Sequence, residues 1–302
     1  MMDKKYLCYS PEVAAACAEG RPIVALESAI LSHGMHYPEN MEFSRKLCEV
    51  IRSEGAVPAT CAIMGGDLKI GLTDEQLEKI CKGEKIGKAS RRDVAIYLAT
   101  GNTAAVTLAT TLTLAEMADI HVVTTSGIVG IHRCDESCAQ VSPEVQELTH
   151  TSVAVVCAGI KPALDIDMTL SYLRSAGVPI IGLGSDDFPA FYSRKSGFKV
   201  DFNAIDAETA AWILHTKWRL GLTGGALIAN PMPAEFEPNV NDMEMAIRNA
   251  LAAAKKSGVR GKSYSDRLNF SSDLELAYNN ARVGAQLACE YVKAEEQCLN
   301  KE

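Results

Sequence analysis

The chain of 302 residues lacks the features that mark membrane-inserted or exported proteins. No apolar run approaches the roughly 20 residues that a membrane-spanning helix needs. The first residues, Met1–Lys5, are not followed by an apolar signal core. We therefore expect a cytoplasmic protein that has no membrane as its partner.

The chain also has fewer basic than acidic residues. The 30 Lys and Arg residues stand against 38 Asp and Glu residues, a formal net charge of −8, whereas a nucleic-acid backbone demands a basic face. This argues against a nucleic-acid partner, but a small phosphorylated ligand needs only a local positive site. The 10 cysteines are scattered from Cys8 to Cys298 without framework spacing. In a reducing compartment, most of them are expected to be small buried hydrophobic residues.

Short apolar runs alternate with helical patterns along most of the chain, with neither an internal repeat nor a low-complexity linker. Apolar strands without polar alternation are typical of a sheet covered by helices on both faces. We therefore predict a single α/β domain over residues 1–302, with three α/β/α layers around a mixed, largely parallel sheet. The predicted strands are Pro22–Leu26, Val57–Ile63, Ile120–Thr124, Ser152–Cys157, Val178–Leu183 and Ala226–Ala229.

Several helices have recognisable ends. Asn40 is a predicted N-cap of a helix that reaches Ser53 and is closed by Gly55. A capping box is predicted at Thr73–Gln76, and Ser142-Pro143 is typical of an N-cap followed by the first helical residue. The polar stretch Gly258–Ser272 is interpreted as a surface loop, with a lid as the less favoured alternative. Further helices are predicted at Ala207–Leu220 (between Asp206 and Gly221), Asn241–Ser257 and Leu274–Cys298.

Two reactive side chains follow predicted strands, where open α/β sheets bind their ligands. Glu27 directly follows Pro22–Leu26, and a partly desolvated carboxylate suits proton donation near neutral pH. A structural carboxylate is an equally good interpretation of Glu27. Lys161 follows Ser152–Cys157, and an amine that has lost hydration beside apolar strands can form a Schiff base with a carbonyl. An ordinary exposed loop lysine is the plainer alternative.

Two further stretches are candidates for binding phosphate. Lys88–Asp93 contains three cations and a hydroxyl, although a solvated charge run is the commoner meaning of such a pattern. Thr124–Gly130 places small residues after a strand, where backbone amides can approach a phosphate. It is neither a GxGxxG fingerprint nor a Walker motif. His132, Cys134 and Cys138 have spacing that could hold zinc, but a fourth ligand is not evident and coincidence is the favoured interpretation.

Taken together, the chain resembles the pseudouridine-5′-phosphate glycosidase family, also called the indigoidine synthase A-like family, from about Tyr9 to Tyr291. The resemblance implies an enzyme that cleaves, or reversibly forms, the carbon–carbon bond between uracil and ribose 5-phosphate. It also implies a homotrimer and a manganese ion. The stretches that carry it are Ala25–Asn40, Glu54–Leu72, Lys88–Asp93, Val155–Leu173, Phe188–Val200 and Gly221–Pro233.

The resemblance also assigns roles to individual residues. The lysine that forms an imine with the sugar falls on Lys161, and the glutamate that transfers protons falls on Glu27. An imine at the anomeric carbon of the opened ribose is the electron sink that lets a C-glycosidic bond break. The expected substrate contacts are Lys88, Leu108, Thr125, His132, Ser142, Pro143, Glu144 and Asp273.

At several positions the chain departs from the family pattern. Ala29 stands where a threonine is usual after Glu27-Ser28, and Ser126 and Val129 stand where glycines are usual. A valine at a tight backbone position would narrow or reshape the pocket. An asparagine that the family aims at the base aligns with Asp273, and an ionised aspartate can only accept hydrogen bonds. These changes predict an altered preference for the leaving group.

The expected metal position departs as well. The metal aspartate of the family aligns with Gln140, and a neutral amide is a poor ligand for a hard cation. We therefore assign no metal ligand in this chain, although Asp135 and Glu136 lie nearby as possible substitutes. Two alternatives stay open beside the glycosidase: a related lyase or synthase of C-ribosyl phosphates with another aglycone, and a non-catalytic paralogue that binds a sugar phosphate. Retention of both Glu27 and Lys161 favours a catalyst.

Overall fold

A computed structural model describes residues 4–135, 138–161, 164–237 and 272–299 of the chain. Within these ranges, the side chains of residues 133–135, 138, 272 and 273 are not described. The predicted helix Asn241–Ser257 lies outside the described residues, and so does the predicted loop before Ser272. The elements are β1 (Leu7–Tyr9), α1 (Pro11–Glu19), β2 (Ile23–Leu26), α2 (Ala29–His33), α3 (Glu39–Ser53), β3 (Val57–Met64), β4 (Asp67–Ile70), α4 (Asp74–Lys82), β5 (Gly87–Ala89), α5 (Val94–Thr100), β6 (Ala104–Val106), α6 (Leu108–Met117), β7 (Val122–Thr124), β8 (His132–Asp135), β9 (Cys138–Gln140), α7 (Pro143–Leu148), β10 (Ala154–Cys157), α8 (Ile166–Ser175), β11 (Ile180–Leu183), β12 (Phe202–Ala204), α9 (Ala207–Arg219), β13 (Ala226–Ala229) and α10 (Ser272–Leu299).

The central sheet runs in the order β1-β4-β3-β2-β7-β10-β13-β11-β12, and β6 pairs with β3 and β5 beside this path. Its strands are parallel except where β3 meets β4 and β6. The predicted mixed, largely parallel sheet is therefore confirmed, and every predicted strand is present. Strands β8 and β9 form a separate antiparallel ribbon.

Both faces of the sheet are buried, which explains the uninterrupted apolar strands. Alternate residues such as Ala25 and Val155 join a core that is closed by α1, α6, α7 and α8. The residues between them, such as Val24 and Val156, join a second core that is closed by α3, α9 and α10. Since each strand residue packs against one helical layer or the other, the strands do not alternate between polar and apolar residues. The three-layer α/β/α architecture is confirmed.

Most predicted helix ends are confirmed. Thr73 accepts from the Gln76 backbone and closes a complete capping box with it. The hydroxyl of Ser142 caps α7, whose first residue is Pro143. Asp206 caps α9 by accepting from Thr209.

The predicted cap at Asn40 is wrong, because α3 already begins at Glu39. The buried Asn40 amide donates instead to the carbonyls of Leu31 and Cys81, each at 2.7 Å. Because those carbonyls belong to α2 and α4, the side chain joins neighbouring helices. Tertiary packing has thus overridden a local capping preference.

The eight cysteines whose side chains are described are all free thiols. Burial raises the pKa of the Cys61 and Cys157 thiols to about 12, so both stay protonated. Of the eight described cysteines, three are buried, so the expectation that most cysteines are buried is wrong for the described residues. Cys17 is exposed. In the described part of the chain, no helix combines the length and the apolar character needed to cross a lipid bilayer.

Candidate active site

The ends of three neighbouring parallel strands bring the candidate residues to one edge of the sheet. Glu27 is the first residue after β2, Thr125 is the first after β7, and Lys161 follows β10 by a short turn. Since β7 lies between β2 and β10, and neighbouring strands lie about 4.8 Å apart, the ends of β2 and β10 are separated by about 10 Å. This is the edge at which open α/β sheets bind ligands.

Glu27 and Thr125 are in contact. Leu26 and Thr124 pair in register, so the next residue of each strand projects to the same side. The Thr125 hydroxyl donates to Glu27 Oε1 at 3.0 Å. Such a bond fixes the orientation of a carboxylate that would otherwise rotate freely. The pair lines a small cavity of about 30 Å³ together with Leu26, Ile30, Phe43, Leu47, Thr124, Ser126 and Ala277.

The loop after β7 is held by tight packing. A Cβ atom on Gly127 would lie 2.4 Å from the Phe191 ring, and one on Gly130 would lie 2.5 Å from Thr169 Oγ1. The glycines are therefore needed for close packing within the protein. This gives the small residues of Thr124–Gly130 a structural reason that is independent of phosphate binding.

Lys161 lies alongside this loop. The Ile128 amide donates to Gly159, and the Lys161 amide donates to Ile128, both at 3.0 Å. The charges of Glu144 and Lys161 both act on the buried thiol of Cys157, whose pKa is raised chiefly by burial. Both charged groups therefore lie near the end of β10, and the Lys161 side chain is only half-exposed.

A second cavity, of about 110 Å³, is lined by further predicted residues and is called the larger cavity, in contrast to the one beside Glu27. His132, Ser142, Pro143 and Glu144 come together in its wall. The antiparallel pairing of His132 with Gln140 brings this strand residue close to the start of α7, whose N-cap is Ser142. The remaining wall is formed by Ser90, Thr107, Ala109, Val129, Gln140 and Val141.

Ser142 and Glu144 also hold the backbone of Val129 in this cavity by hydrogen bonds. The Ser142 hydroxyl donates to the Val129 carbonyl and accepts from the Val145 amide. One carboxylate oxygen of Glu144 accepts from the Val129 amide at 2.6 Å. Both backbone groups of Val129 are thus fastened to the amino end of α7.

The predicted phosphate stretch divides into parts with different partners. Arg91 donates to the buried carboxylate of Glu147 at 2.6 Å, and the exposed Arg92 lies 3.5 Å from Asp93. Lys88 is exposed on β5 and makes no ion pair within the described ranges. Burial and, second, the charge of Lys88 lower the pKa of His33. Lys88 therefore lies near His33 of α2, and it is not among the residues that line either cavity.

Leu108 and Asp273, two further predicted substrate contacts, lie at the starts of helices. Leu108 is fully buried at the start of α6, so only its backbone amide could reach a ligand. Asp273 belongs to the first turn of α10, but its side chain is not described. The side chains of Cys134 and Cys138, the other members of the zinc pattern, are not described either.

Comparison with known proteins identifies the family. The family described as "Indigoidine synthase A like protein" matches residues 12–290. The chain belongs to this family. It is 47% identical over 300 residues to the pseudouridine-5′-phosphate glycosidase of Caldanaerobacter subterraneus subsp. tengcongensis, covering 96% of this chain and 98% of that protein. It is 46% identical over 296 residues to the protein of the same name from Geobacillus kaustophilus, covering 94% and 98%.

Two solved structures of the family share the fold. One is the prealnumycin C-glycosynthase AlnA in complex with ribulose 5-phosphate, with a TM-score of 0.88 at 32% identity over 98% of this chain and 100% of that one. The other is an indigoidine synthase A-like protein from Thermotoga maritima, with a TM-score of 0.83 at 26% identity over 97% and 98%. The predicted family and fold are therefore confirmed.

Among the described residues, the wall of the larger cavity is a poor set of ligands for the manganese ion expected for the family, and the possible substitutes Asp135 and Glu136 lie outside the described side chains. Gln140 offers only a neutral amide, and the Ser142 hydroxyl is engaged with backbone groups. Glu144 is bound to Val129. Over the residues that the structure describes, no group of three His, Cys, Asp or Glu side chains could hold a metal ion. Hard divalent cations take several oxygen ligands, usually with carboxylates among them.

Sequence reasoning assigned no role to three residues that shape the site. Ser28, fully buried beside Glu27, donates to the Cys61 carbonyl at 2.6 Å and accepts from Val106 at 3.0 Å. Asn230 and Asn280 form a buried amide pair behind Thr125. A signal for Asn280 was available, because it interrupts the helical spacing of buried apolar residues in α10.

Proposed function

We propose that this chain is a pseudouridine-5′-phosphate glycosidase, which cleaves or reversibly forms the C-glycosidic bond of pseudouridine 5′-phosphate. The observation that carries the proposal is the similarity over nearly the whole chain to proteins of this name, at 47% identity for the example from Caldanaerobacter. The products of cleavage are uracil and ribose 5-phosphate. The complex of the similar AlnA with ribulose 5-phosphate supports a sugar phosphate as ligand.

The arrangement at the sheet edge supports this chemistry. A carboxylate follows β2 and an amine follows β10, and the ends of these strands lie about 10 Å apart at the same edge of the sheet. That separation leaves room for a ribose between Glu27 and Lys161. The Thr125 hydroxyl, which follows the strand between them, orients the carboxylate at 3.0 Å.

The proposed steps balance without a redox partner. The C1′–O4′ bond breaks with its electrons going to O4′, the Lys161 amine bonds to C1′ in place of O4′, and the proton that the amine releases passes to O4′. The nitrogen lone pair of Lys161 then forms the C1′=N bond while the electrons of the C1′–C5 bond move to the uracil ring. Uracil C5 takes a proton from Glu27 and leaves. Water hydrolyses the imine, which returns the Lys161 amine and frees ribose 5-phosphate.

The larger cavity is proposed to bind the sugar phosphate. It presents hydroxyls of Ser90 and Thr107 together with His132, and these groups suit the hydroxyls and phosphate of a ribose phosphate. The cavity wall includes the amino end of α6, where backbone amides favour an anion. The proposed steps assign no role to a divalent cation, because a neutral amide, Gln140, stands where the family has its metal aspartate.

A second candidate is a lyase or synthase of C-ribosyl phosphates with another aglycone. The observation that favours it is the presence of Val129 and Gln140 in the wall of the larger cavity, where the family pattern has glycine and aspartate. The similar AlnA is a C-glycosynthase. Assembly as a homotrimer and a place in the cytoplasm stay predictions of the resemblance.

The deciding experiment is a mass balance with purified protein and pseudouridine 5′-phosphate, with and without manganese. Equal release of uracil and ribose 5-phosphate, absent from a Lys161→Ala variant, supports the proposal. If there is no turnover but borohydride still traps ribose 5-phosphate on Lys161, the protein uses another aglycone. Absence of both results would favour a binding paralogue.

A further inference from the structure

A buried amide network holds the backbone at Thr125, the residue that contacts Glu27. Asn280 on α10 is fully buried, and Asn230, just after β13, is 7% exposed. Asn230 Nδ2 donates to Asn280 Oδ1 at 2.9 Å. Asn280 Nδ2 donates to the backbone carbonyls of Thr125 at 2.8 Å and Ser126 at 3.2 Å. Because the Asn280 amide uses both its hydrogens and its oxygen, the network permits one orientation of this side chain.

The two bonds from Asn280 fix an unusual piece of backbone. Successive carbonyls of a β-strand point in opposite directions, yet those of Thr125 and Ser126 accept from the same nitrogen. The chain has therefore turned out of the strand at this point, while the Thr125 amide still donates to Val156 at 3.1 Å. This turn directs the Thr125 hydroxyl to Glu27.

The helix that carries Asn280 is held against the strand with little freedom. Gly284 lies one turn further along α10, on the same face. A Cβ atom at Gly284 would lie 2.1 Å from Thr124 Cγ2. The backbone of α10 thus contacts the end of β7 directly, and the position of Asn280 relative to Thr125 is set by this contact.

We propose that Asn280 is a positioning residue for Glu27. Its amide binds the Thr125 and Ser126 carbonyls and thereby fixes the direction of the Thr125 hydroxyl, which orients the Glu27 carboxylate. Asn230 holds the Asn280 amide in the orientation that these bonds require. Asn280 is fully buried and acts through Thr125. The proposal rests on the proposed function for the proton-transfer role of Glu27.

A kinetic double-mutant cycle tests this link. Thr125→Val should lower kcat about 10-fold, and Asn280→Ala about 10- to 100-fold, since small misplacements of a catalytic group have effects of this order. KM should stay within about 3-fold if Asn280 acts on the chemical step and not on binding. The double variant should be no slower than the slower single variant, because both changes break the same link. Losses that multiply in the double variant would overturn the proposal.

Asn279 provides a matched control. It is the preceding residue of α10 and is half-exposed, and within the described ranges its side chain makes one long contact, at 3.5 Å to the Pro231 carbonyl. Asn279→Ala should keep kcat within about 2-fold, as expected of a change away from such networks. If Asn280→Ala does not fold, Asn230→Ala replaces it in the cycle. The replacement removes only the donor to Asn280 and should give a smaller loss that is equally non-additive with Thr125→Val.

Crystal structures supply a readout that does not depend on turnover. The hydrogen bond between Thr125 Oγ1 and Glu27 Oε1 should persist in wild type and Asn279→Ala, and these atoms should be separated beyond hydrogen-bonding distance in Asn280→Ala. Retention of the bond in a folded Asn280→Ala variant would overturn the positioning role, whatever the activity. If wild type shows no turnover and the two atoms have nevertheless separated in Asn280→Ala, the result counts against the proposed function alone and supports the network.

Discussion

The Thr125 hydroxyl and the Glu27 carboxylate meet at 3.0 Å although 98 positions separate them in the chain. Their contact follows from the parallel register of β2 and β7, which pairs Leu26 with Thr124. The next residue of each strand then projects beyond the sheet on the same side. The register brings the two positions close together, and the direction of the Thr125 hydroxyl depends in addition on the turn of the chain after β7.

The two proposed catalytic groups should be separable by substitution. Glu27→Gln keeps an acceptor for Thr125 but cannot transfer a proton, so kcat should fall about 10²- to 10⁴-fold. Borohydride trapping of ribose 5-phosphate on Lys161 should stay near the wild-type level, because imine formation uses the amine. Mass spectrometry of the labelled peptide measures the adduct. Loss of trapping in Glu27→Gln would show that the two groups are not separable.

Lys161→Arg is the matched counterpart. Arginine keeps the positive charge but cannot supply an uncharged amine, so neither turnover nor adduct is expected. Labelling that persists in Lys161→Arg would mean that another lysine forms the imine, with Lys88 as the first to examine.

Chelation should leave the activity unchanged. Since a neutral amide, Gln140, stands where the family has its metal aspartate, turnover after treatment with EDTA should stay within about 2-fold of the untreated enzyme. The measurement is kcat before and after dialysis against EDTA, with a related family member that has aspartate at this position as the control. A fall in activity that manganese restores would contradict the expectation.

Gly284→Ala should destabilise the protein even though alanine is the better helix former by about 1 kcal/mol. A Cβ atom would lie 2.1 Å from Thr124 Cγ2, and overpacking of this kind typically costs about 1–3 kcal/mol. Urea unfolding at constant pH measures the change. Gln286→Ala on an exposed side of the same helix is the control and should be within about 0.5 kcal/mol of wild type. An unchanged or higher stability of Gly284→Ala would show that α10 can shift away from β7.

The stability should decrease in mild acid because of His121. Burial lowers the pKa of this histidine below its ordinary value of 6.5, and its ring stacks on Trp218 at 5.2 Å between centroids. The unfolded chain therefore binds a proton more readily than the folded one, and the free energy of unfolding falls as the pH drops below about 6.5. His121→Phe should show a smaller fall between pH 7 and pH 5.

The control for this prediction is His36→Phe, at an exposed position. It should keep the full dependence on pH that wild type has. Equal dependence in wild type and His121→Phe would assign the acid sensitivity to other groups.

The strands and most helix ends could be predicted because their causes are local. Buried strands need apolar residues on both faces, and caps such as Thr73 act within one turn. The site was only partly predictable, because its geometry depends on register. Glu27 and Lys161 could be located from their positions after strands. The amide of Asn280, by contrast, reaches backbone carbonyls 154 and 155 positions away, and nothing in its neighbourhood in the chain specifies them. Asn40 failed as a predicted cap for the same reason.

The hydrogen bonds that hold the backbone of Val129 have an evolutionary consequence. Because Glu144 holds its amide and Ser142 its carbonyl, the backbone at position 129 is defined by its neighbours and does not depend on its own side chain. A lineage can therefore exchange the residue that faces the cavity while the surrounding architecture persists. Position 129 is a place where selectivity can drift toward new leaving groups before any other part of the catalytic apparatus has to change.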